Sequence, residues 1–177
     1  MAFILAFAGS NSSTSINFKL VKHTVNTIND KDIELLNMVN FPFPMYSEDE
    51  EKNNGFSNSL IEFTNDIKHA KGLIISVNEH NSNPSAYFKN VLDWCSRVNK
   101  NFLADTAVLL MATSPGKRGG IGALEVTEKL LPRLGATAIE SYSLPSFYDN
   151  FDEQTGITDP ELSKMHQEKV ASFLAKL

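Results

Sequence analysis

The residues Gly9-Ser10-Asn11-Ser12-Ser13-Thr14-Ser15-Ile16-Asn17 are dense in hydroxyls and small side chains, and they lead directly into an amphipathic stretch. A loop that runs into a helix N-terminus presents free backbone N–H groups and the positive end of the helix dipole, which favour an anion. Each Ser or Thr hydroxyl can donate one further hydrogen bond. A phosphate monoester carries about −1.5 to −2 charge at neutral pH and calls for several donors. A polar turn ending in a Ser or Thr helix cap would read the same way. The loop is neither a Walker A sequence nor GxGxxG.

Two further loops have the makings of a site. Val77-Asn78-Glu79-His80-Asn81-Ser82-Asn83-Pro84-Ser85 offers polar side chains and backbone groups able to line a planar heterocycle. Glu79 and His80 invite an acid–base reading, but adjacent side chains commonly point in different directions, and a solvated pair is favoured over a catalytic one. In Ala112-Thr113-Ser114-Pro115-Gly116-Lys117-Arg118-Gly119-Gly120, the three glycines let backbone approach a ligand closely. Lys117 and Arg118 could meet an incoming phosphate, and two solvated cations on a flexible turn explain them equally well.

Each loop follows a short, nearly continuous apolar run: Phe3–Ala8, Leu73–Val77 and Ala107–Met111. Runs of this kind are strands buried on both faces of a parallel sheet. Ile33–Met38 and Ala138–Leu144 are more mixed and suit strands nearer the edges. Helical spacing of apolar residues appears from Ser15 to Ile28, Ser59 to Ala70, Pro84 to Val98, Gly120 to Leu134 and about Pro160 to Lys176. Asn83 is the expected cap of the third helix, with Pro84 at its first position. Pro132 should end or bend the fourth helix, Gly135 cap it, and Asp159 cap the last.

The order βαβαβαβαβα implies a doubly wound α/β fold, three layers with a five-stranded parallel sheet in the middle and right-handed crossovers. Strand order 2-1-3-4-5 puts a ligand crevice at the carboxyl ends of the first and third strands. Residues 1–177 read as a single domain, since no repeat, low-complexity tract or linker interrupts them. Phe41–Gly55 reads as one long polar loop, mobile and near the site.

The net charge of −5 leaves no basic field for nucleic acid or anionic lipid. The N-terminal apolar run is too short for a bilayer and lacks a basic flank, so neither a membrane span nor a signal peptide is expected. Cys95 is the only cysteine, which suits a reducing, cytoplasmic setting. His23, His69 and His166 lack metal-ligand spacing, and no metal site is expected.

The loops together resemble the NADPH-dependent FMN reductase family of flavodoxin-like flavoproteins, which includes quinone, azo-dye and chromate reductases. The family's phosphate loop, G-S-x-R-x-x-S-x-N, is matched at Gly9, Ser10, Ser15 and Asn17, with Ser12 where the basic residue usually stands. Its flavin-ring loop P-E-Y-N corresponds to Asn78-Glu79-His80-Asn81, with Glu79 and Asn81 kept. A P-x-x-x-K-N-x-L-D-W stretch is matched by Lys89, Asn90, Leu92, Asp93 and Trp94, with Pro84 one residue further upstream than the pattern places it. S-P-G-x-x-G-G is matched at Ser114, Pro115, Gly116, Gly119 and Gly120, and L-x-x-L-G-A follows at Leu131 to Ala136.

The resemblance implies an FMN-dependent oxidoreductase, with NADPH or NADH as reductant and a quinone-like or other small molecule as electron acceptor. Ser10, Ser12, Ser15, Ile16 and Asn17 would hold the phosphate. Asn78 to Ser82, with Ser114, Pro115, Gly116, Gly119 and Gly120, would embrace the ring, and Lys117 and Arg118 would meet the nucleotide's phosphate. The flavin carries the chemistry, and no side chain is expected to act as nucleophile. A homodimer, or else a homotetramer, is implied by the family alone. A flavodoxin-like electron carrier and a flavin-free interaction module of the same fold are the competing readings.

Overall fold

The computed structural model describes residues 3–28 and 32–177. Its framework is a parallel sheet of five strands, β1 (Ile4–Ala8), β2 (Ile33–Leu36), β3 (Gly72–Val77), β4 (Ala107–Thr113) and β5 (Ala138–Leu144). They are arranged β2-β1-β3-β4-β5, the expected 2-1-3-4-5 order. All of β1, β3 and β4 is buried, which is why these strands read as unbroken apolar runs.

Alternate residues serve two cores. Leu5, Phe7, Leu73, Ile75, Val108 and Leu110 face α3 (Asn58–His69), α4 (Ala86–Val98) and α5 (Ile121–Leu130). Ile4, Ala6, Ile74, Leu109 and Met111 face α1 (Ile16–Thr27) and α7 (Pro160–Leu174). Burying each of the large side chains contributes about 1.5–3 kcal/mol, so both sheet faces must be covered for the strands to persist. Asp159 caps α7 as expected, accepting from the Glu161 and Leu162 N–H groups. Leu131–Leu134, containing Pro132, tightens to a 3₁₀ turn, and Gly135 closes it at φ 109°.

Three expectations are corrected. Strand β2 ends at Leu36, because the Asn37 side chain caps a 3₁₀ turn over Met38–Asn40. Helix α4 begins two residues later than expected. Its cap is Ser85, whose hydroxyl accepts from the Phe88 N–H at 3.1 Å, while Pro84 pairs opposite Glu79 in a small antiparallel hairpin. The 41–55 segment contains a helix, α2 (Glu48–Asn54), capped by Ser47. The stretch before it is tied down by α4. Asn90 accepts from the Tyr46 N–H at 2.7 Å and donates to the Pro44 carbonyl at 2.9 Å. The Trp94 indole also donates to Pro44, and the Tyr87 hydroxyl lies 2.8 Å from the Phe41 carbonyl. The Lys-Asn-x-Leu-Asp-Trp stretch thus buttresses its neighbours. A short helix, α6 (Phe147–Asn150), and a hairpin through Phe151–Ile157 join β5 to α7. Among the described residues, no helix is long and apolar enough to cross a membrane.

Candidate functional site

The loop after β1 enters α1 at the carboxyl edge of the sheet. Gly9 sits so close to α4 that a Cβ there would lie 2.5 Å from the Phe88 ring, and its carbonyl accepts from the Ser85 hydroxyl. This close approach requires glycine. Ser15 caps α1 by accepting from the Phe18 N–H at 3.2 Å. The Ser15 N–H reaches back to the Ser12 carbonyl, leaving the N–H groups of Ile16 and Asn17 without an acceptor among the described residues. They are the unpaired donors of a helix start. Ser10 accepts from the Ser12 N–H, and Ser12 shares a hydrogen bond with Thr14, so hydroxyls and N–H groups crowd the loop.

Asn17 has a different task from the one its place in the motif suggests. Its carboxamide is buried and turned into the protein. Nδ2 donates to the Thr113 carbonyl at 3.2 Å, and Oδ1 accepts from the Ser76 hydroxyl at 2.7 Å and from the Thr113 N–H at 3.1 Å. One side chain thereby pins the start of α1 to the ends of β3 and β4. Only its backbone N–H is left to face an anion.

After β3, Glu79 and His80 pair with Pro84 and Asn83 across a turn made by Asn81 and Ser82, both at positive φ (53° and 60°). Two consecutive residues in that region make the tight turn a two-residue hairpin needs. The Glu79 carboxylate accepts from the Ala123 N–H at 3.0 Å. It supplies the cap that Gly120, in the left-handed conformation, cannot give α5. Asn78 is the exception to this thorough pairing, because its Oδ1 is buried with no hydrogen-bond partner. A buried acceptor left unpaired costs about 1–3 kcal/mol and marks a place where a donor belongs.

The loop after β4 is pinned from the far side. The Ser146 N–H donates to the Gly116 carbonyl at 2.9 Å, and the Phe147 N–H to the Ser114 carbonyl at 3.0 Å. Gly119 and Gly120 are buried at positive φ. A Cβ on Gly119 would lie 2.4 Å from the Ser143 hydroxyl and 2.9 Å from the Pro145 nitrogen. The close approach these glycines permit is to β5 and to β4 of the same chain. Lys117 and Arg118 are exposed at the turn.

These loops bound a cleft of about 240 Å³ at the carboxyl ends of β1, β3 and β4. Of the residues expected from the sequence, Ser10, Ser15, Ile16, Asn17, Asn78, Glu79, His80, Ser114 and Pro115 line it. Ser12, Asn81, Ser82, Gly116, Lys117, Arg118, Gly119 and Gly120 lie outside its wall. Thr14, Thr113 and Tyr148 line it without having been singled out. Thr14 and Thr113 belong to the loops the sequence marked, whereas Tyr148 offers no local signal, since its position depends on pairings between distant segments. A larger groove of about 480 Å³ runs between α1 and the 151–157 hairpin and shares Ser15. It contains no residue of the second or third loop, so the convergence of polar groups favours the smaller cleft.

Residues 3–149 match the family model described as NADPH-dependent FMN reductase. The uncharacterized MG342 homolog of Mycoplasma pneumoniae is 31% identical over 85% of this chain and 91% of its own length. A quinone reductase of Escherichia coli is 32% identical over 44% of this chain and 41% of its own length. Among solved structures, the FerB NAD(P)H:(acceptor) oxidoreductase of Paracoccus denitrificans superposes with a TM-score of 0.77 at 22% identity, covering 99% of this chain and 96% of that one. Flavodoxin 1 of Bacillus cereus superposes at 0.61 with 15% identity, covering 100% and 99%. Both likenesses speak to the fold. With the family model spanning most of the chain and the cleft where that fold binds its ligand, the chain belongs to the NADPH-dependent FMN reductase family, an oxidoreductase with FMN as cofactor and NAD(P)H as reductant.

Proposed function

We propose that this chain passes reducing equivalents from a nicotinamide dinucleotide, by way of FMN held in the cleft, to a quinone-like or other small acceptor. The observation that carries the reading is the meeting, in one cleft, of an unpaired helix N-terminus and its hydroxyls with the polar Asn78–His80 stretch and the Ser114-Pro115 turn. The first supplies the donors a phosphate needs, and the other two supply a polar wall for a planar heterocycle.

When bound, FMN supplies the hydride acceptance and release, and the protein positions and tunes it. The N–H groups of Ile16 and Asn17 and the hydroxyls of Ser10, Thr14 and Ser15 would hold the phosphate, with Ser12, outside the cleft wall, shaping the loop through its bonds to Ser10 and Thr14. No lysine or arginine lies between Gly9 and Asn17, so dipoles carry the whole interaction. Asn78, His80, Ser114 and Pro115 would face the ring. The Glu79 carboxylate is committed to the start of α5 and is left out of any proton relay. Lys117 and Arg118, exposed at the turn, would meet the phosphates of an arriving nucleotide.

A homodimer or homotetramer is part of the same proposal. Exposed Met45, Phe56 and Ile61, on α3 and on the segments flanking α2, support it, as apolar side chains left in solvent are available to a contact surface. A reducing, cytoplasmic setting is supported by the single, buried, unpaired Cys95.

The site assignment is tested by comparing FMN with riboflavin on the flavin-free protein. Loss of the phosphate should raise Kd at least about a hundredfold, the worth of two hydrogen bonds to a charged group. Equal affinities would remove the phosphate role of the 10–17 loop. The acceptor class is tested by steady-state NADPH oxidation with benzoquinone, where multiple turnovers are expected. Stable one-electron reduction without turnover would favour an electron carrier.

A further inference from the structure

We propose that Tyr148 is a cofactor-contacting residue, the aromatic wall that packs on the bound flavin and closes the cleft from solvent. The proposal rests on the flavin reading above.

Tyr148 follows β5, outside all three loops, yet it lines the same cleft as Ser10, Asn78 and Pro115. Only two aromatic rings line that cleft among the described residues, His80 from the β3 side and Tyr148 from the β5 side. A planar heterocycle entering between them meets an aromatic face from Tyr148 with no rearrangement of the backbone. A single exposed tyrosine would ordinarily call for no explanation. Here the exposure, 71% of the residue, is combined with a ring that is held in place.

Two features hold it. Its ring lies edge-to-face on Phe147, with centroids 5.6 Å apart at 85°. Phe147 is buried and stacks in turn on Phe151 at 4.7 Å. The backbone is fixed as well. Ser146 occupies the left-handed region at φ 45°, ψ 58°, which costs a non-glycine residue about 1 kcal/mol or more. Its N–H is anchored on Gly116, its carbonyl accepts from the Asp149 and Asn150 N–H groups, and the Asn150 side chain donates to the Pro145 carbonyl. A strained turn tied on both sides, carrying a braced but solvent-facing ring into a cleft, is a preorganised contact awaiting a ligand. Nothing among the described residues covers the exposed face of that ring.

The test uses the wild-type protein, with and without saturating FMN. Tyrosine nitration by tetranitromethane is run in the dark and mapped by mass spectrometry. Tyr46, Tyr87 and Tyr142, which are half-buried or buried, serve as internal references. Bound FMN is expected to slow nitration of Tyr148 about tenfold while the references hold. In parallel, Tyr148→Ala should raise the FMN Kd about tenfold, as removal of a stacking aromatic does, and Tyr148→Phe should stay within about threefold of wild type. Unprotected Tyr148 at FMN saturation, or an unchanged Kd in Tyr148→Ala, would overturn the proposal and leave the flavin reading standing. Absence of FMN uptake by the wild-type protein, read in the binding titration itself, would overturn both.

Discussion

Replacing Asn17 by alanine should destabilise the fold and the cofactor site together, because one carboxamide joins them. The residue is 3% exposed, and its side chain accepts from two donors, the Ser76 hydroxyl and the Thr113 N–H, both of which are buried. Truncation leaves those donors unpaired where water does not reach. At about 1–3 kcal/mol for each, the expected loss is about 2–6 kcal/mol. Ordinary domain stability of about 5–15 kcal/mol leaves the variant folded at room temperature. Urea unfolding followed by circular dichroism reads the loss as a lower midpoint with an unchanged slope. The FMN Kd should also rise about tenfold, since the N–H groups of Ile16 and Asn17 are aimed by this anchor. A double-mutant cycle with Ser76→Ala isolates the pair, and a coupling of about 1 kcal/mol or more is expected for groups in direct contact. A stability loss below about 1 kcal/mol, or a cycle that closes additively, would refute the claim that Asn17 is the pin.

Glu79→Gln should lower stability by about 1 kcal/mol, through the weaker acceptor at the start of α5, and leave the shape of the pH profile of turnover unchanged; loss of a limb of that profile would give Glu79 a proton-transfer role. Gly119→Ala should destabilise by about 2 kcal/mol or more in thermal or urea melts, because a Cβ collides with Ser143 and with the Pro145 backbone at a positive φ. His166 is buried against Thr24, with burial and the nearby His23 lowering its pKa to about 4. A depressed histidine pKa gives stability that is full above the unfolded value near 6.5 and fades as pH falls toward 4. The wild type should therefore lose about 2–3 kcal/mol relative to His166→Leu between pH 7.5 and 4.5, and parallel pH curves for the two proteins would contradict this.

The central strands were legible because burial on both faces turns them into short apolar runs, and the helices because one apolar stripe repeats along each. Helix α2 escaped that logic. It buries none of its residues and shows no stripe, and it is held by its Ser47 cap and by the pairing of Arg97 with Glu51. The Ser47-x-x-Glu50 spacing was the available signal, and Ser47 does accept from the Glu50 N–H at 3.0 Å. The start of α4 was misplaced because Asn83-Pro84 is as good a helix opening as Ser85 in isolation, and only the pairing with Glu79 decides between them.

At the site, composition marked the right loops without distinguishing roles within them. Asn17 stands in a phosphate motif, yet its side chain works on Thr113, a partner far along the chain. Gly119 reads as space for a ligand, and the space is taken by β5. Tyr148 was silent in the sequence because its placement depends on hydrogen bonds from Ser146 and Phe147 to Gly116 and Ser114.

The central claim is that FMN in this cleft takes reducing equivalents from a nicotinamide dinucleotide. Anaerobic titration of the FMN-loaded protein with NADPH and, separately, NADH, followed at the flavin's visible absorbance, tests it directly. Full bleaching at one equivalent of at least one nucleotide, with colour restored by benzoquinone, is the predicted result. Bound flavin that stays oxidised in excess of both nucleotides would contradict the account.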